Sequence, residues 1–322
     1  MRMGPILTLT LNPALDVSTD VDRVEPVHKL RCSAEHLHPG GGGINVARVS
    51  QRLGSPVLAM FPSGGLVGQA LQCLLSAEGI AQYPIAIEQE TRQNFSVHET
   101  STGQDFRFVL PGPTLSPKEW EDCLSACLAQ VPQASWVVLS GSLPHGAPDD
   151  SYAQWIQRIR ALNRRVVLDA SGPALRAALQ QGVQLVKPSL RELAELCGRE
   201  LRTPDEQLSA AKALVRSGQA QVVALSLGES GALVVTESHQ WRAPALPVEV
   251  KSTIGAGDSF LGGWLHGWQQ MPDLDLFHPD RMEQAMRWGM ATAASSVSSL
   301  GTALCDPEQV RHWLPQVEIQ RL

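Results

Sequence analysis

The sequence predicts an α/β fold with a mostly parallel sheet covered by helices on both faces. Short apolar, β-branched runs alternate with longer amphipathic segments along the chain, and strands buried on both faces read as such runs. The 322 residues are 43% hydrophobic, enough to build a full core and too apolar for global disorder. Two half-polar stretches break the alternation and predict a β-excursion outside the main sheet.

Ile6–Leu11 (ILTLTL) reads as the first strand and is far shorter than a membrane span. Val17–His38 is the first excursion, extended and half-polar. Ile44–Leu53 is helical, Val57–Phe61 (VLAMF) a strand and Gly68–Glu78 a helix. Thr91–Leu110 is the second excursion, a hairpin with Gly103 near its turn. Pro117–Ala129 is an amphipathic helix with Cys123 and Cys127 one turn apart. Trp136–Leu139 (WVVL) is a strand, Asp150–Leu162 a helix and Val166–Leu168 (VVL) a strand. Leu185–Val186 is the next strand and Leu190–Leu196 its helix. Glu206–Ser217 is helical, and Val222–Leu225 and Ala232–Val235 are strands across a glycine-rich turn. Gly257–Trp268, Arg281–Val297 and Pro307–Trp313 close the chain as helices, with Met271–Asp280 a Pro/Asp loop between the first two. In such folds ligands collect beyond the C-terminal ends of the strands, so the loops there carry the candidate residues.

Net charge is −6 with no basic stripe, which makes nucleic acid or an anionic membrane a poor partner. An anionic small molecule would need a local cluster of cations. The N-terminal MRMGPILTLTLNP lacks a signal-peptide cleavage pattern, and the six scattered cysteines include no C-x-x-C. A cytoplasmic protein with buried, reduced thiols is expected.

In "STIGAGDSFLGGWLHG", small residues open an amphipathic helix and leave the N–H groups of Gly255, Ala256 and Gly257 free for an anion, phosphate above all. Asp258 beside them could take a proton from an attacking hydroxyl or simply stabilise the helix terminus, and spacing alone does not choose. No Gly-Lys pair exists, so there is no Walker A loop, and "HPGGGGINVA" puts Asn45 where a Rossmann fingerprint needs its third glycine. Four consecutive glycines, Gly40 to Gly43, lose much backbone entropy on folding unless something must approach the backbone. "LVKPSLRELAEL" places Lys187 at a strand end with Arg191 and Glu192 in the next turn. They suit a polyphosphate and its Mg²⁺, or an ordinary solvated first turn. Only five lysines occur in the chain, which favours a purpose for one at a strand end. "ALSLGESGALVV" could cover an adenine or just connect two strands. Lys29, Arg31 and Arg92 in the excursions could supply the needed cations or sit on a solvated edge. Asp16 in "LNPALD" could accept from substrate hydroxyls or cap a turn. His145 in "LSGSLPHG" reads as a loop residue, and no serine-hydrolase elbow is present.

The ordered set "GGGGINVAR", "SGSLPHG", "KPSLREL", "SLGESGA" and "STIGAGDSF" resembles the ribokinase-like PfkB sugar kinases over essentially the whole chain. "KLRC", "TRQN" and "RFVLPG" make it most similar to the minor bacterial 6-phosphofructokinases within that family. The resemblance implies a ribokinase-like three-layer fold in one domain spanning 1–322, with a β lid from about 13–38 and 91–110. It implies phosphorylation of fructose 6-phosphate at the 1-hydroxyl by MgATP. Asp258 matches the base, and Gly255, Ala256 and Gly257 match the anion hole. Asp16, Gly41, Gly42 and Asn45 match the grip on sugar hydroxyls, and Lys29, Arg31, Arg92 and Ser142 the sugar-phosphate side. Lys187, Ser189, Arg191, Ser226, Gly228, Gly231 and Thr253 match the ATP side, with Lys251 a weaker candidate. Glu192 would hold Mg²⁺ through water. The carbonyls of Ser252, Ile254 and Gly301 form a candidate site for a monovalent cation such as K⁺. The lid would also pair two subunits into a homodimer.

The chain departs from the family in three places. Ser189 stands for the asparagine of N-x-x-E, and Arg191 for a lysine, which keeps charge but changes geometry. Ser299 and Ala303 replace an asparagine and an arginine in the cation loop. The resemblance also extends to 1-phosphofructokinases and tagatose-6-phosphate kinases, which typically carry a lysine inside the glycine run. A non-catalytic sugar-phosphate sensor is the reading from another class; the intact Gly-Ala-Gly-Asp argues against it.

Overall fold

The computed structural model describes residues 4–299 and 303–322. In chain order the elements are β1 (Ile6–Leu9), β2 (Ala14–Val21), β3 (His36–Gly40), α1 (Gly42–Arg52), β4 (Val57–Ser63), α2 (Gly65–Ala77), β5 (Gln82–Ala86), β6 (Arg92–Glu99) and β7 (Gln104–Val109). They continue as α3 (Pro117–Gln130), β8 (Trp136–Ser140), α4 (Ser151–Ala161), β9 (Val166–Asp169), α5 (Gly172–Leu179), β10 (Val183–Val186), α6 (Leu190–Cys197) and α7 (Pro204–Arg216). The last are β11 (Ala220–Ser226), β12 (Ala232–Val235), β13 (Gln240–Ala243), α8 (Ala256–Gln269), α9 (Pro279–Val297), α10 (Pro307–Trp313) and β14 (Gln320–Arg321).

A ten-stranded sheet runs β14-β13-β12-β11-β10-β9-β8-β1-β4-β5. From β5 to β11 neighbours are parallel, and β12, β13 and β14 add on antiparallel. Alternate residues of each buried strand feed two separate cores, which is why the strands read as unbroken apolar runs. In β8, Trp136 and Val138 join the core under α1, α8 and α9, while Val137 and Leu139 join the core under α3 to α7. Trp136 stacks on Trp268 at 4.4 Å between ring centroids, and Trp268 meets Trp264 edge-on at 6.0 Å.

The two excursions form one separate sheet, β3-β2-β6-β7. The first is not extended throughout: β2 ends at Val21, and regular structure resumes only at His36. The hairpin turn falls at 100–103, with Gly103 at φ +71°. Residues opposite each other in such a sheet share a face. Asp16, His38 and Asn94 are in register on one face; Leu37, Val17, Phe95 and Phe108 are in register on the other.

Several elements escape a reading of periodicity. The helix after the glycine run starts at Gly42, not Ile44, because packing against β1 and β8 holds glycines that propensity disfavours. α5 is short and opens on Gly-Pro, and β5, β13 and β14 are short strands added at the sheet edges. The expectation of buried thiols holds for Cys123, Cys127 and Cys305, but Cys32, Cys73 and Cys197 are exposed. Burial pushes the Cys123 and Cys127 thiols up to about 12, which keeps them protonated and unreactive.

Candidate active site

The residues singled out by motif converge on the C-terminal edge of the parallel sheet. Asn12 follows β1, Ser140 ends β8, Asp169 ends β9, Lys187 follows β10 and Ser226 ends β11. α8 points its N-terminus into the same crevice, as the family of doubly wound sheets leads one to expect.

Gly255 caps α8 in the left-handed conformation, φ +71°, which a glycine adopts without strain. The first N–H groups of α8 have no partner within the helix, but they are not all free as expected: that of Ala256 makes a long 3.4 Å bond to Thr253 O, while Gly257 lies beside Lys187. A Cβ placed on Gly257 would stand 3.0 Å from Lys187 Nζ. Lys187 is itself buried and pairs with Asp169 at 3.1 Å. Burial works against its charge, but Asp169 and Asp258 outweigh it and hold its pKa above the usual lysine value. Asp258 accepts a 2.8 Å hydrogen bond from Asn45 Nδ2. Burial and the neighbouring Asp169 charge raise its pKa to about 7, against the opposing pull of Asn45 and Lys187. A carboxylate so placed is a poor surface charge and a well-matched proton acceptor near neutral pH.

The second half of the crevice is walled by the small sheet. Asp16 lies within β2, not in a turn, and accepts from Asn94 Nδ2 at 2.8 Å. Burial raises its pKa, opposed by Asn94 and by the charges of Arg107, Arg92 and Arg48. The glycine run serves this wall, and none of its four members admits a side chain without a shift; a Cβ on Gly41 would come 2.6 Å from Thr10 Cγ2. A Cβ on Gly40 would come 2.4 Å from Asp16 Oδ2, on Gly42 2.3 Å from Ser140 Oγ, and on Gly43 2.6 Å from Thr10 Oγ1. Gly41 additionally needs φ +112°. Arg92 is braced by the carbonyls of Asn12 (2.9 Å) and Leu110 (3.1 Å), and Asn12 donates to Ser142 Oγ at 3.2 Å. Lys29 and Arg31 are both exposed on the segment between β2 and β3.

On the side of Lys187, Ser189 caps α6 in a mutual capping box with Glu192: Ser189 Oγ accepts from Glu192 N at 3.3 Å and Glu192 Oε2 accepts from Ser189 N at 2.8 Å. Arg191 turns outward, 81% exposed, toward Glu195 at 3.7 Å. Ser226 bridges to Ser189, Gly228 sits at φ +58°, and Gly231 at φ +90° lies where a Cβ would meet Ala243 O at 2.0 Å. That contact ties Gly231 to strand packing. Ser252 is buried, its Oγ accepting from Ile254 N, while Lys251 is exposed and its N–H donates to Val297 O. Thr253 O accepts from Ala256 N at 3.4 Å. Gly301 lies outside the described residues.

Four residues of the site were not singled out for a role. Asp169 ends β9, and that position was its only signal. Asn12, Asn94 and Arg107 lie inside the stretches LNPALD, TRQN and RFVLPG, but only the register of β2, β6 and β7 sets Asn94 and Arg107 beside Asp16.

A family model described as pfkB family carbohydrate kinase matches residues 10–309. ATP-dependent 6-phosphofructokinase isozyme 2 of Mycobacterium tuberculosis is 40% identical over 312 residues, 96% of this chain and 88% of the relative. 1-Phosphofructokinase of Escherichia coli (strain K12) is 34% identical over 319 residues, 98% of each. Solved structures of phosphofructokinase-2 from Escherichia coli superpose closely. The potassium complex gives a TM-score of 0.89 at 37% identity, and the fructose-6-phosphate complex 0.87 at 36%, each covering 98% of this chain and 99% of the other.

Proposed function

This chain belongs to the pfkB family of carbohydrate kinases, and from that premise we propose that it transfers the γ-phosphoryl group of ATP to the 1-hydroxyl of fructose 6-phosphate. The observation that carries the reading is Asp258: a half-buried carboxylate, fixed by Asn45, in the first turn of a helix whose start faces Lys187. Asp258 takes the hydroxyl proton, and the sugar oxygen attacks the γ-phosphorus in line as ADP leaves. The N–H groups of Gly255, Ala256 and Gly257 and the Lys187 ammonium stabilise the charge on the transferring group. Asp16 and Asn45 orient the sugar, with Gly41 and Gly42 allowing the backbone close approach.

The polar face of the small sheet supports a sugar that already carries phosphate. Arg92 and Arg107 both act on Asp16 there, and Ser142 lies across from them through Asn12. Lys29 and Arg31 would join only if the segment between β2 and β3 closed over the sugar or reached a second subunit. A homodimer through the small sheet accounts for its other face, where Leu37, Phe95 and Phe108 stand 37%, 40% and 54% exposed. The absence of a lysine from the glycine run supports fructose 6-phosphate over the substrates of kinases that carry one there.

Mg²⁺ fits the donor set. Asp169 and Glu192 would supply oxygen ligands: their charges interact beside Lys187, and Glu192 spends only one oxygen on its capping bond. Bound there, Mg²⁺ would neutralise the phosphate chain of ATP. Ser189 in place of asparagine keeps the cap. Ser226, Gly228 and Thr253 line the remaining ATP side, and Arg191 contributes from the surface. The Ser252 and Ile254 carbonyls, with Gly301, are assigned to a monovalent cation. No described helix is long and apolar enough to cross a membrane.

A coupled ADP-release assay over fructose 6-phosphate, fructose 1-phosphate and tagatose 6-phosphate, in potassium and in sodium, tests the assignment. The highest kcat/KM belongs to fructose 6-phosphate. A preference of tenfold or more for another sugar would reassign the substrate, and calorimetric sugar-phosphate binding without turnover would make the chain a sensor.

A further inference from the structure

Two arginines of α1 share one carboxylate, and neither belongs to the chemistry above. Arg48 is 1% exposed. Its Nε and Nη2 bind Glu78, at the C-terminal end of α2, at 3.0 and 2.6 Å, and its Nη1 donates to Pro39 O at 3.0 Å. Arg52, one turn further on, donates through Nη2 to Glu78 Oε2 at 3.2 Å. Its Nη1 reaches the carbonyls of Ala303 (2.5 Å) and Cys305 (3.2 Å). Burial alone would raise the Glu78 pKa, but the two guanidiniums bring it below the usual carboxylate range, so the shared carboxylate stays charged. Burying a guanidinium costs free energy that well-packed apolar residues would not, which directs attention to what the geometry achieves.

Both ends of this network touch the site. Pro39 precedes Gly40, whose backbone abuts the Asp16 carboxylate. Ala303 and Cys305 flank Leu304, a buried leucine held at φ +61°, a conformation that strains any residue with a Cβ. Leu304 Cδ2 stands 2.8 Å from the position of a Cβ on Gly255, so it buttresses the residue that opens α8.

We propose that Arg48, Glu78 and Arg52 are positioning residues that fix the distance between the sugar wall and the phosphoryl turn. Arg52 holds Leu304 in its left-handed conformation from both sides and thereby sets Gly255. Glu78 ties that arm to Arg48, which anchors β3 beside Asp16. The link touches no substrate; it keeps the sugar hydroxyl and the anion hole in line. This inference rests on the assignment of Asp258 as base and of the turn before it as the phosphoryl site.

The test is steady-state kinetics on Arg52→Gln and Arg52→Lys, with wild type and Asp258→Asn alongside. In Arg52→Gln, kcat falls about tenfold while both KM values stay within about threefold, because misplacement of the turn is felt mainly in the transition state. Arg52→Lys keeps a cation within reach of one carbonyl and recovers part of the loss. In the Arg48→Lys/Arg52→Gln double variant the combined kcat loss is smaller than the product of the single losses, since both arms act through Glu78. A kcat for Arg52→Gln within twofold of wild type overturns the proposal. So does a loss matched by the fraction unfolded at the assay temperature, measured by circular dichroism. Should Arg48→Lys fail to fold, the two Arg52 variants decide alone. Failure of the underlying assignment looks different: wild type inactive on every sugar phosphate, or Asp258→Asn as active as wild type.

Discussion

The phosphoryl turn and the sugar wall are built on opposite plans. The turn draws Lys187, Asp169 and Asp258 from the ends of the central sheet and the start of α8, with Lys187 buried and the two carboxylates half-buried around it. The wall draws Asp16, Asn94, Arg92 and Arg107 from a four-stranded sheet whose other face is open. Close packing and low dielectric suit the turn, where each fixed charge acts on the developing transition state. On the proposed reading the wall recognises a solvated anion, and cations that keep partial access to water are less costly to desolvate. The contrast assigns rate to one region and substrate choice to the other, with the Arg48–Glu78–Arg52 link between them.

The sharpest way to break that division is Asp258→Asn. It removes the base and leaves the wall intact, so kcat drops by about 10²–10⁴-fold. Fructose 6-phosphate binding, read by calorimetry, stays within severalfold of wild type. Turnover near the wild-type rate would refute the role of Asp258.

Next in size is the wall. Arg92→Ala or Arg107→Ala should raise the KM for fructose 6-phosphate about tenfold, the loss of one charge-assisted bond, and leave the KM for ATP nearly unchanged. Equal shifts in both constants would merge the two regions into one.

The smallest effect is on stability, and it singles out the turn. The folded pKa of Asp258 is raised above its ordinary value, to about 7. A raised carboxyl pKa means the folded state holds the proton longer than the unfolded one. The stabilisation is therefore complete below about pH 4 and is lost as pH rises toward 7. Measured from pH 5 to pH 8, the melting temperature of wild type should fall relative to that of Asp258→Asn. Parallel curves would show that the fold does not raise the Asp258 pKa. Protonation of the same group should reduce kcat on the acid side of about pH 7.

Much of this was legible from residue order. WVVL, VVLD and VVALS announce strands buried on both faces, and GAGD before an amphipathic run announces an anion-binding helix terminus. The small sheet was half legible: its hairpin reads from alternation, but β2 and β3 are joined by a long irregular segment that propensity cannot bound. The charge of Lys29 and Arg31 is in the sequence, but the path of the irregular segment that carries them is not. Ser189 shows the reverse. Its departure from the family pattern looks damaging in isolation, yet its hydroxyl makes the same kind of cap that starts α6.

What the sequence determined by itself was local: the alternation of elements, the apolar strands, the helix-opening turn and the type of chemistry each motif can support. These depend on neighbours along the chain, where periodicity and capping act. The tertiary structure alone decided that Asp169 would meet Lys187, that Arg107 and Asn94 would face Asp16, and that one glutamate would join Pro39 to Leu304 through two arginines. Those contacts bring together residues from distant parts of the chain, and they exist only once sheet register and helix packing have fixed the distances on which charge and hydrogen bonding depend.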